Sequence, residues 1–575
     1  QRFRQHAQFV AISLDPDRTM ALGHLGPVRP MNQRDVGIDR IGPSAFDSVH
    51  RPDDRQLAER VVEMVVAADD MGHAHVVVVH HHRQHVGRGP VGAEQDEIVD
   101  LAVLDGKNGF RIDGDVGNGG GSGFFPTSAG DVNGDGLEDA IVGGNYLNPA
   151  VLYFQQKNQT FKASNAQPWN TLGLYSDMGL CLFDADGDKD LDLFIARGNT
   201  NQPSHTSDYQ DVIFINDGKG NFSKGFYTGM MGVFGSSSVV EVLDMNGDGA
   251  LDLFVGGRLV PFTYGAPADS QLWINDGKGS FSEQSATFAP ELKALGMVTD
   301  AKVLDYDGDG KQDLVVVGEW MAPTFFRNTG NKLEKATITG MEQLKGWYRT
   351  LEVGDFNGDG KPDLALGNQG LNTRMKGSVS NPIRMYLNDF DQNGAIEQIY
   401  TQQVGVVQVH YTLKHELEKQ VPSIKKKYIR YADYNDQSLS DIFPKEVIDR
   451  SIVQEMNHLQ SGLLINVGNG TFEWKAFPVE AQKTWIFAIQ SMDLNGDGIE
   501  DLLLGGNLSH VKPEIGKYDA GYGEILLGKG DGTFTFWPNR IHGLKLEGDV
   551  RAFSPLGKNQ LLVVKNSAPA EIWMY

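Results

Sequence analysis

The sequence predicts an all-β fold made by repeating one small sheet around an axis, and three observations carry that expectation. A nine-residue acidic loop recurs seven times along the 575-residue chain. Short apolar runs with the composition of strands stand before and after each loop. A hairpin cassette follows the regular loops, and its spacing is close to 60 residues. A period of that length, built from strands and turns alone, fits a β-propeller with about four strands per blade.

The loops come first. The opening copy reads Asp131-Val-Asn133-Gly-Asp135-Gly-Leu-Glu-Asp139. Oxygen-bearing side chains fall at positions 1, 3, 5 and 9, and glycine usually holds positions 4 and 6, where a tight turn needs positive φ. The same places are held by Asp184, Asp186, Asp188 and Asp192; by Asp244, Asn246, Asp248 and Asp252; and by Asp305, Asp307, Asp309 and Asp313. They recur as Asp355, Asn357, Asp359 and Asp363; as Asp389, Asp391, Asn393 and Glu397; and as Asp493, Asn495, Asp497 and Asp501. A hard cation that takes six to eight oxygens wants this arrangement, and Ca²⁺ at six or seven structural sites is the expectation. Two copies depart from the pattern. The second has Lys189 at position 6, and the sixth has Gln392 at position 4 and ends in Glu397. The bland alternative for each is a plain Asp/Asn/Gly turn. Seven repeats of one oxygen spacing argue against it.

The strands and hairpins follow. Leu253-Phe-Val-Gly-Gly257, Leu314-Val-Val-Val-Gly318 and Leu502-Leu-Leu-Gly-Gly506 are compact apolar runs just after loops. Leu272-Trp-Ile-Asn275-Asp-Gly277-Lys-Gly279-Ser-Phe281 is the clearest hairpin, with Asn-Asp-Gly between apolar flanks. Its Asn position recurs at Gln155, Asn216, Asn328, Asn388, Asn466 and Gly528, with one wide interval of 78 residues between Asn388 and Asn466. Seven hairpins predict seven blades. Two further runs, 561–565 and 571–575, are expected to complete the first blade and close the ring. The loop at 389–397 sits in a hairpin turn rather than between two strands of a blade, so it ranks below the others as a metal site.

Two segments break the pattern. Residues 1–120 hold 12 of the 22 arginines but one lysine, Lys107, and nine of the 15 histidines. That composition reads as foreign to the remainder, poorly ordered or artefactual, and set apart from a propeller over 123–575. The alternative is a small domain with a helix over 55–69 and a strand over 75–80. The histidines at 73–85 have no acidic or Cys partner to complete a zinc or nickel site. The second segment is 409–460, which reads helical and is assigned to blade six, where no acidic loop precedes Asn466. Pro422 and Pro444 are plausible helix starts. Tyr428, Ile429 and Ala432 are expected to face inward, with Lys425 to Lys427 and Arg430 in water.

Charge and cysteine limit the function classes. The net charge is −24, and 23 carboxylates stand at positions 1, 3, 5 and 9 of the seven loops, so much of the excess is aimed at metal. No basic stripe is present for nucleic acid. The single Cys181 lies in an apolar strand and reads as core. No apolar stretch reaches membrane length, and a monomer is expected.

The acidic loops resemble those of FG-GAP/VCBS repeat proteins, a family that includes the propeller of integrin α chains. The phrases Val255-Gly-Gly-Arg258, Gly296-Met-Val-Thr-Asp300-Ala, Val317-Gly-Glu-Trp320-Met, Gly367-Asn-Gln-Gly-Leu-Asn372 and Tyr518-Asp-Ala-Gly-Tyr522-Gly are similar to secreted VCBS-repeat proteins of Bacteroidetes-like bacteria often found beside ASPIC/UnbV domains. No such second domain is seen in this chain. The resemblance covers residues 123–575. It implies a calcium-binding propeller outside the cytoplasm, at the cell surface or secreted, and it implies no reaction.

Two function classes remain. One is a binding or adhesion module for a glycan or an extracellular protein. The other is a polysaccharide lyase or hydrolase on a calcium propeller, which would need a convergent acid/base set. His410, Tyr411, Lys414, His415 and Glu416 are the only clustered candidates, and His415 and Glu416 are expected to face different ways on a helix. The binding module is favoured. Its partner is expected to touch the 409–460 insert, where Tyr411, Tyr428, Tyr431 and Tyr434 lie among basic residues.

Overall fold

The structure is a computed structural model that describes residues 126–575, except 146–147, 165, 172–175, 199–208, 226–234, 406, 436, 513–514, 558–559 and 567. It also describes the backbone of the strands Gln8–Phe9, Val61–Ala68, Ala74–His81 and Phe110–Arg111. Two compact units are distinguished, residues 1–95 and residues 96–575.

In the first unit, Gln8–Phe9, Val61–Ala68 and Ala74–His81 form one antiparallel sheet. The helix expected over 55–69 is therefore a strand from Val61 onward. Val61-Val-Glu-Met-Val-Val is rich in β-branched residues that suit a pleated sheet better than a helix. The expected histidine cluster lies outside the described side chains.

The second unit has a β-propeller-like all-β fold. Among its described residues, seven antiparallel sheets follow one another along the chain. Their first strands are Pro126–Gly130, Asp177–Phe183, Ser236–Leu243, Met297–Leu304, Thr350–Gly354, Ile486–Met492 and Asp549–Leu556. Each of these touches the next, and the last touches the first, so the strands close a ring. Neighbouring sheets stack face to face. Phe194 and Ile213 of the second sheet share a core with Val255 and Trp273 of the third. Leu243, Phe254 and Leu272 of the third share another with Leu314, Val316 and Phe326 of the fourth. A strand covered on both faces has no solvent side, which is why the runs after the loops are unbroken rather than alternating. Asp313–Met321 is buried at all nine positions. Each such Leu or Val contributes roughly 1.5–3 kcal/mol when fully buried.

Three expectations are corrected here. The fifth sheet is Thr350–Gly354, Asp363–Gly367, Gly462–Gly468 and Thr471–Ala476, so the hairpin at Asn466 belongs to the loop at 355–363. The hairpin at Asn388 lies instead in an inserted sheet of Ile383–Asn388, Glu397–Val404, Val407–His410 and Ile452–Met456. The helices thus interrupt the fifth sheet, not blade six. The sixth sheet keeps its loop at 493–501, and the seventh is the one that departs from the pattern. The sequence misleads because the turn chemistry at Asn388 matches that of the ring hairpins, while strand partners 100 residues apart leave no local mark.

The second correction concerns closure. The C-terminal strands Asp549–Leu556, Gln560–Asn566 and Glu571–Met574 form their own sheet, and its fourth strand is Phe110–Arg111. The first sheet is complete without them. Residues 110–111 therefore serve the ring although they lie inside the segment 1–120 that composition sets apart.

The third concerns the insert itself. Lys414–Gln420, Ser423–Lys427, Tyr431–Asn435, Leu439–Ile442 and Lys445–Ile448 are helical, but the helix expected to start at Pro444 stops at Ile448, and within the segment expected to be helical Ile452–Met456 is a strand. Phe390, Ile399, Leu417, Ile424, Tyr434 and Phe443 are among the core residues between helices and inserted sheet. The sheet's other face presents Ile383, Met385 and Leu387 to Met297 and Trp320 of the ring. This is strand alternation at work. Tyr428 is buried as expected, but Ile429 is 84 % exposed and Ala432 is exposed too, because the helix ends at Lys427 and the helical period does not run on.

Candidate metal loops and a roofed cavity

Each acidic loop is held by its own backbone. In the first, Asp131 accepts from the N–H of Asp135 and Gly136 at 2.9 and 2.7 Å, and Asn133 Oδ1 accepts from Asp135 at 2.9 Å. The glycines at positions 4 and 6 take φ of 75° and 86°. The two departures keep that conformation without glycine: Lys189 has φ 77° and Gln392 φ 62°. Position 9 is the node of the arrangement. Asp252 is fully buried; Oδ2 accepts from Met245 N–H at 3.0 Å, and Oδ1 from the hairpin Asn275 N–H at 2.8 Å. Asp139, Asp192, Asp363 and Asp501 repeat both bonds. Burial pushes the carboxyls of Asp139 and Asp313 up to about 7 and those of Asp192, Asp252 and Asp363 up to about 6, and it raises Asp501 and Glu397 as well.

Positions 1, 3 and 9 converge. Asp184, Asp186 and Asp192 form one group with ligand atoms within 4.8 Å; Asp305, Asp307 and Asp313 form a second, and Asp389, Asp391 and Glu397 a third. These are the three loops with a carboxylate at position 3. In the other four that place is taken by Asn133, Asn246, Asn357 and Asn495. Position 5 lies beside position 3: Asn246 and Asn495 donate to Asp248 and Asp497 at 2.8 and 2.9 Å, and in two loops a lysine engages it as well. Asp309 and Asp359 accept from Lys311 and Lys361 at 2.9 and 2.7 Å. Asp391 Oδ1 is shut off from solvent with no hydrogen-bond partner among the described residues, which is the kind of oxygen a cation satisfies. The groups fit a hard cation, and the loop at 389–397, ranked last from its sequence, is among the best formed.

Sequence reasoning missed two roles. The hairpin Asn is more than a turn residue: Asn275 Nδ2 donates to Ala185 O of the preceding sheet's loop at 2.9 Å, and Asn216 and Asn466 reach Val132 O and Tyr306 O in the same way. Loop and hairpin are thereby tied across sheets. Arg327 places its guanidinium on Asp307 at 2.6 Å and Asp309 at 2.9 Å, an internal cation at the fourth loop. Its position directly before Asn328 was the only signal.

A second feature lies where the insert meets the ring. A cavity of about 380 Å³ is lined by Trp347 of the ring, Tyr400 and Tyr411 of the inserted sheet and the residue after it, Gln420 of the first insert helix, and Arg374 and Tyr518 from ring loops. Its floor is fixed from below. Tyr264 Oη donates to Glu319 at 2.6 Å and accepts from the indoles of Trp320 and Trp347, each at 3.1 Å. Glu319 is buried, paired with Arg258 at 2.7 Å and with Arg349. Burial alone would raise its carboxyl, but the Arg349 and Arg258 guanidiniums outweigh it and hold the group at about 2. Trp320 takes φ 60°, a strained conformation for a bulky residue that this network sustains. The five phrases quoted above for their resemblance supply Arg258, Met297, Trp320, Asn368 and Tyr518, all at this face.

Of the residues expected to meet a partner, Tyr411 lines the cavity, but Tyr428 and Tyr434 are buried in the insert's core and cannot stack on anything outside. The basic patch is largely spent. Lys427 donates to the carbonyls of Asp441 and Ile442, and Arg430 pairs with Asp433 at 2.7 Å. His410 sits between the carbonyls of Thr412 and Tyr434. His415 and Glu416, expected to diverge, meet at 3.3 Å, since neighbouring long side chains can fold back over a helix end. Cys181 packs at the edge of a core, and burial pushes its thiol up to about 12.

Comparison with known proteins agrees with the loop chemistry. The FG-GAP-like repeat family matches residues 131–195, 184–255 and 305–366. The chain carries FG-GAP-like repeats. No curated protein matches it. Among solved structures, an exotype rhamnogalacturonan lyase, YesX, aligns at 11 % identity over 89 % of this chain and 80 % of its own, with a TM-score of 0.36. A Bacillus licheniformis rhamnogalacturonan lyase aligns at 11 % identity over 89 % and 80 %, at 0.33. The extracellular domain of a one-component system from B. thetaiotaomicron aligns at 10 % identity over 88 % and 64 %, at 0.26. Likenesses this remote say nothing about activity. Among the described residues no helix is long and apolar enough to cross a membrane.

Proposed function

We propose that this chain is a seven-bladed, calcium-stabilised propeller that works outside the cytoplasm as a binding module for a glycan or an extracellular protein surface. The repeats and the converging acidic groups support the calcium part. Ca²⁺ would be held by positions 1, 3, 5 and 9 of each loop, and its charge would offset carboxylates that otherwise repel one another. The observation that carries the binding part is the cavity roofed by the insert. An insert that only capped the fifth sheet would have no need to leave an aromatic-walled space of about 380 Å³ above the ring. Clefts for small ligands run from roughly 300 to 1,000 Å³. The enzymatic alternative is less well supported, because His410, its strongest acid–base candidate, faces backbone carbonyls rather than the cavity. The test is a binding screen against plant and algal polysaccharides with products followed by absorbance and reducing-end assays. Binding without turnover is expected. New reducing ends or unsaturated products would replace this reading with the enzymatic one.

A further inference from the structure

The cavity is more specific than a generic cleft. Three of its walls are aromatic and come from different parts of the chain: Trp347 from the ring, Tyr400 from the inserted sheet and Tyr518 from a loop of the sixth sheet. Trp347 is held by its indole bond to Tyr264 and packs edge-on against Trp485 at 5.0 Å. Tyr518 Oη lies 3.3 Å from Thr373 Oγ1. Rigid, flat, amphipathic surfaces of this kind suit the faces of a pyranose ring, which is apolar on its axial C–H side and polar at its rim. Polar groups stand at the edge. Gln420 Oε1 is shut off from solvent with no hydrogen-bond partner among the described residues, an acceptor waiting for a donor.

The charge at the mouth is positive although the protein is acidic. Glu416 is fully engaged by Lys419 and Lys512, each at 2.8 Å, and those bonds hold its carboxyl at about 2. Arg374 lies over the ring of Tyr411, with its guanidinium carbon 4.6 Å from the centroid, and no carboxylate pairs with it among the described residues. A guanidinium oriented by an aromatic face and left without an anion is set up for bidentate recognition of a carboxylate.

We propose that this cavity binds a sugar residue that carries a carboxylate, a uronic acid unit of an acidic glycan, with Arg374 taking the carboxylate and Trp347, Tyr400 and Tyr518 stacking on the ring. The assignment rests on the binding-module reading and narrows it to one ligand class. The cavity combines surfaces from the ring, the insert and the sixth sheet, so the insert's role is to complete the site rather than to present a patch of its own.

The test is calorimetric titration of the intact chain, in calcium, with an oligogalacturonate and a glucuronate-bearing oligosaccharide, against the same oligosaccharides methyl-esterified. The carboxylated forms are expected to bind at least about tenfold more tightly, since tenfold is about 1.4 kcal/mol and a charge-assisted bidentate contact contributes at least that. Arg374→Gln should lose that preference, Arg374→Lys should keep part of it, and Lys426→Gln, in the exposed helix turn, should change nothing. Both Arg374 variants alter an exposed side chain, so unchanged melting temperatures are expected to accompany them. Equal affinity for ester and acid, or for R374Q and the parent, overturns the proposal. So does inorganic sulfate competing as well as the uronate, which would mark a bare anion site. A neutral glycan that binds the parent protein as tightly as the uronates leaves the binding module standing and removes the uronate. No binding of any glycan removes the glycan half of both.

Discussion

The loop at 355–363 and the loop at 389–397 have nearly the same chemistry and do different jobs. In the first, Asp363 joins Phe356 N–H to Asn466 N–H, and Asn466 reaches back to Tyr306 of the fourth sheet, so the loop is a node between two sheets. In the second, Glu397 accepts from Phe390 N–H at 2.8 Å, but Asn388 turns to Val447 O at 2.7 Å in the helical layer. That loop clasps the insert to itself. The comparison teaches that one nine-residue pattern can serve two places: at 355–363 its hairpin Asn466 spans to the loop of the preceding sheet, whereas at 389–397 Asn388 turns into the insert's own helical layer.

The comparison can be broken at several points. Chelation should have the largest effect. Binding confined to the native state stabilises by about 2.7 kcal/mol per site at a hundredfold excess over Kd, and several sites together rival the roughly 5–15 kcal/mol total stability of a domain. A steep fall in melting temperature in EGTA is expected, and an unchanged one would mean that the loops hold no metal in the folded state.

Next come the two asparagines. Asn466→Ala leaves the buried Tyr306 carbonyl unpaired and should cost about 2–3 kcal/mol in urea unfolding. Asn388→Ala removes a half-buried bond within the insert and should cost about 1 kcal/mol. Equal losses would erase the distinction between node and clasp.

His458 offers a pH test on the strand-flanking side of the fifth sheet, where it stacks edge-on against Trp474. Burial holds its imidazole down at about 4, against an ordinary value near 6.5. The unfolded chain therefore binds more protons than the folded one between those values. Its contribution is fully present above about pH 6.5 and is lost as pH falls toward 4, by about 2–3 kcal/mol. His458→Gln should flatten that part of the stability–pH curve. A parallel curve for the variant would show that the ring is not buried in its neutral form.

Truncation separates composition from topology. Removing residues 1–120 takes away Phe110–Arg111 and bares the edge strand Glu571–Met574, a loss expected at about 1–2 kcal/mol from two backbone bonds and their packing. Removing 1–95 keeps that strand and should change the melting temperature little. If the two truncations behave alike, the ring does not depend on Phe110–Arg111, the fourth strand of its last sheet. The smallest effect is expected at Lys189→Gly, which relieves a non-glycine residue at φ 77° and should stabilise by up to about 1 kcal/mol.

Much of the candidate chemistry was legible because it is local. Oxygen spacing, glycines at positive φ and the Asn-Asp-Gly turns act within ten residues of chain, and in three of the seven loops the carboxylates at positions 1, 3 and 9 lie with ligand atoms within 4.8 Å of one another. Strand runs were legible for a related reason: a strand buried on both faces must be apolar throughout. The hub around Glu319 was not legible, since Arg258, Tyr264, Trp320, Trp347 and Arg349 mean nothing to one another until the ring brings them into contact.

By itself, the sequence determined that this protein is made of repeated sheets with acidic loops shaped for a hard cation, because backbone conformation and short-range hydrogen bonds settle such turns. Only the tertiary structure decided which hairpin serves which loop, where the insert sits, and that a cavity opens beneath it. Asn466 lies 103 residues from Asp363, yet it makes the bond that Asn275 makes across 23. Loop closure costs only about (3/2)RT ln n, so lengthening the connection more than fourfold adds little more than about 1 kcal/mol. Distance along the chain is thus a weak guide to partnership, and a whole subdomain can enter a sheet without disturbing the bonds on either side.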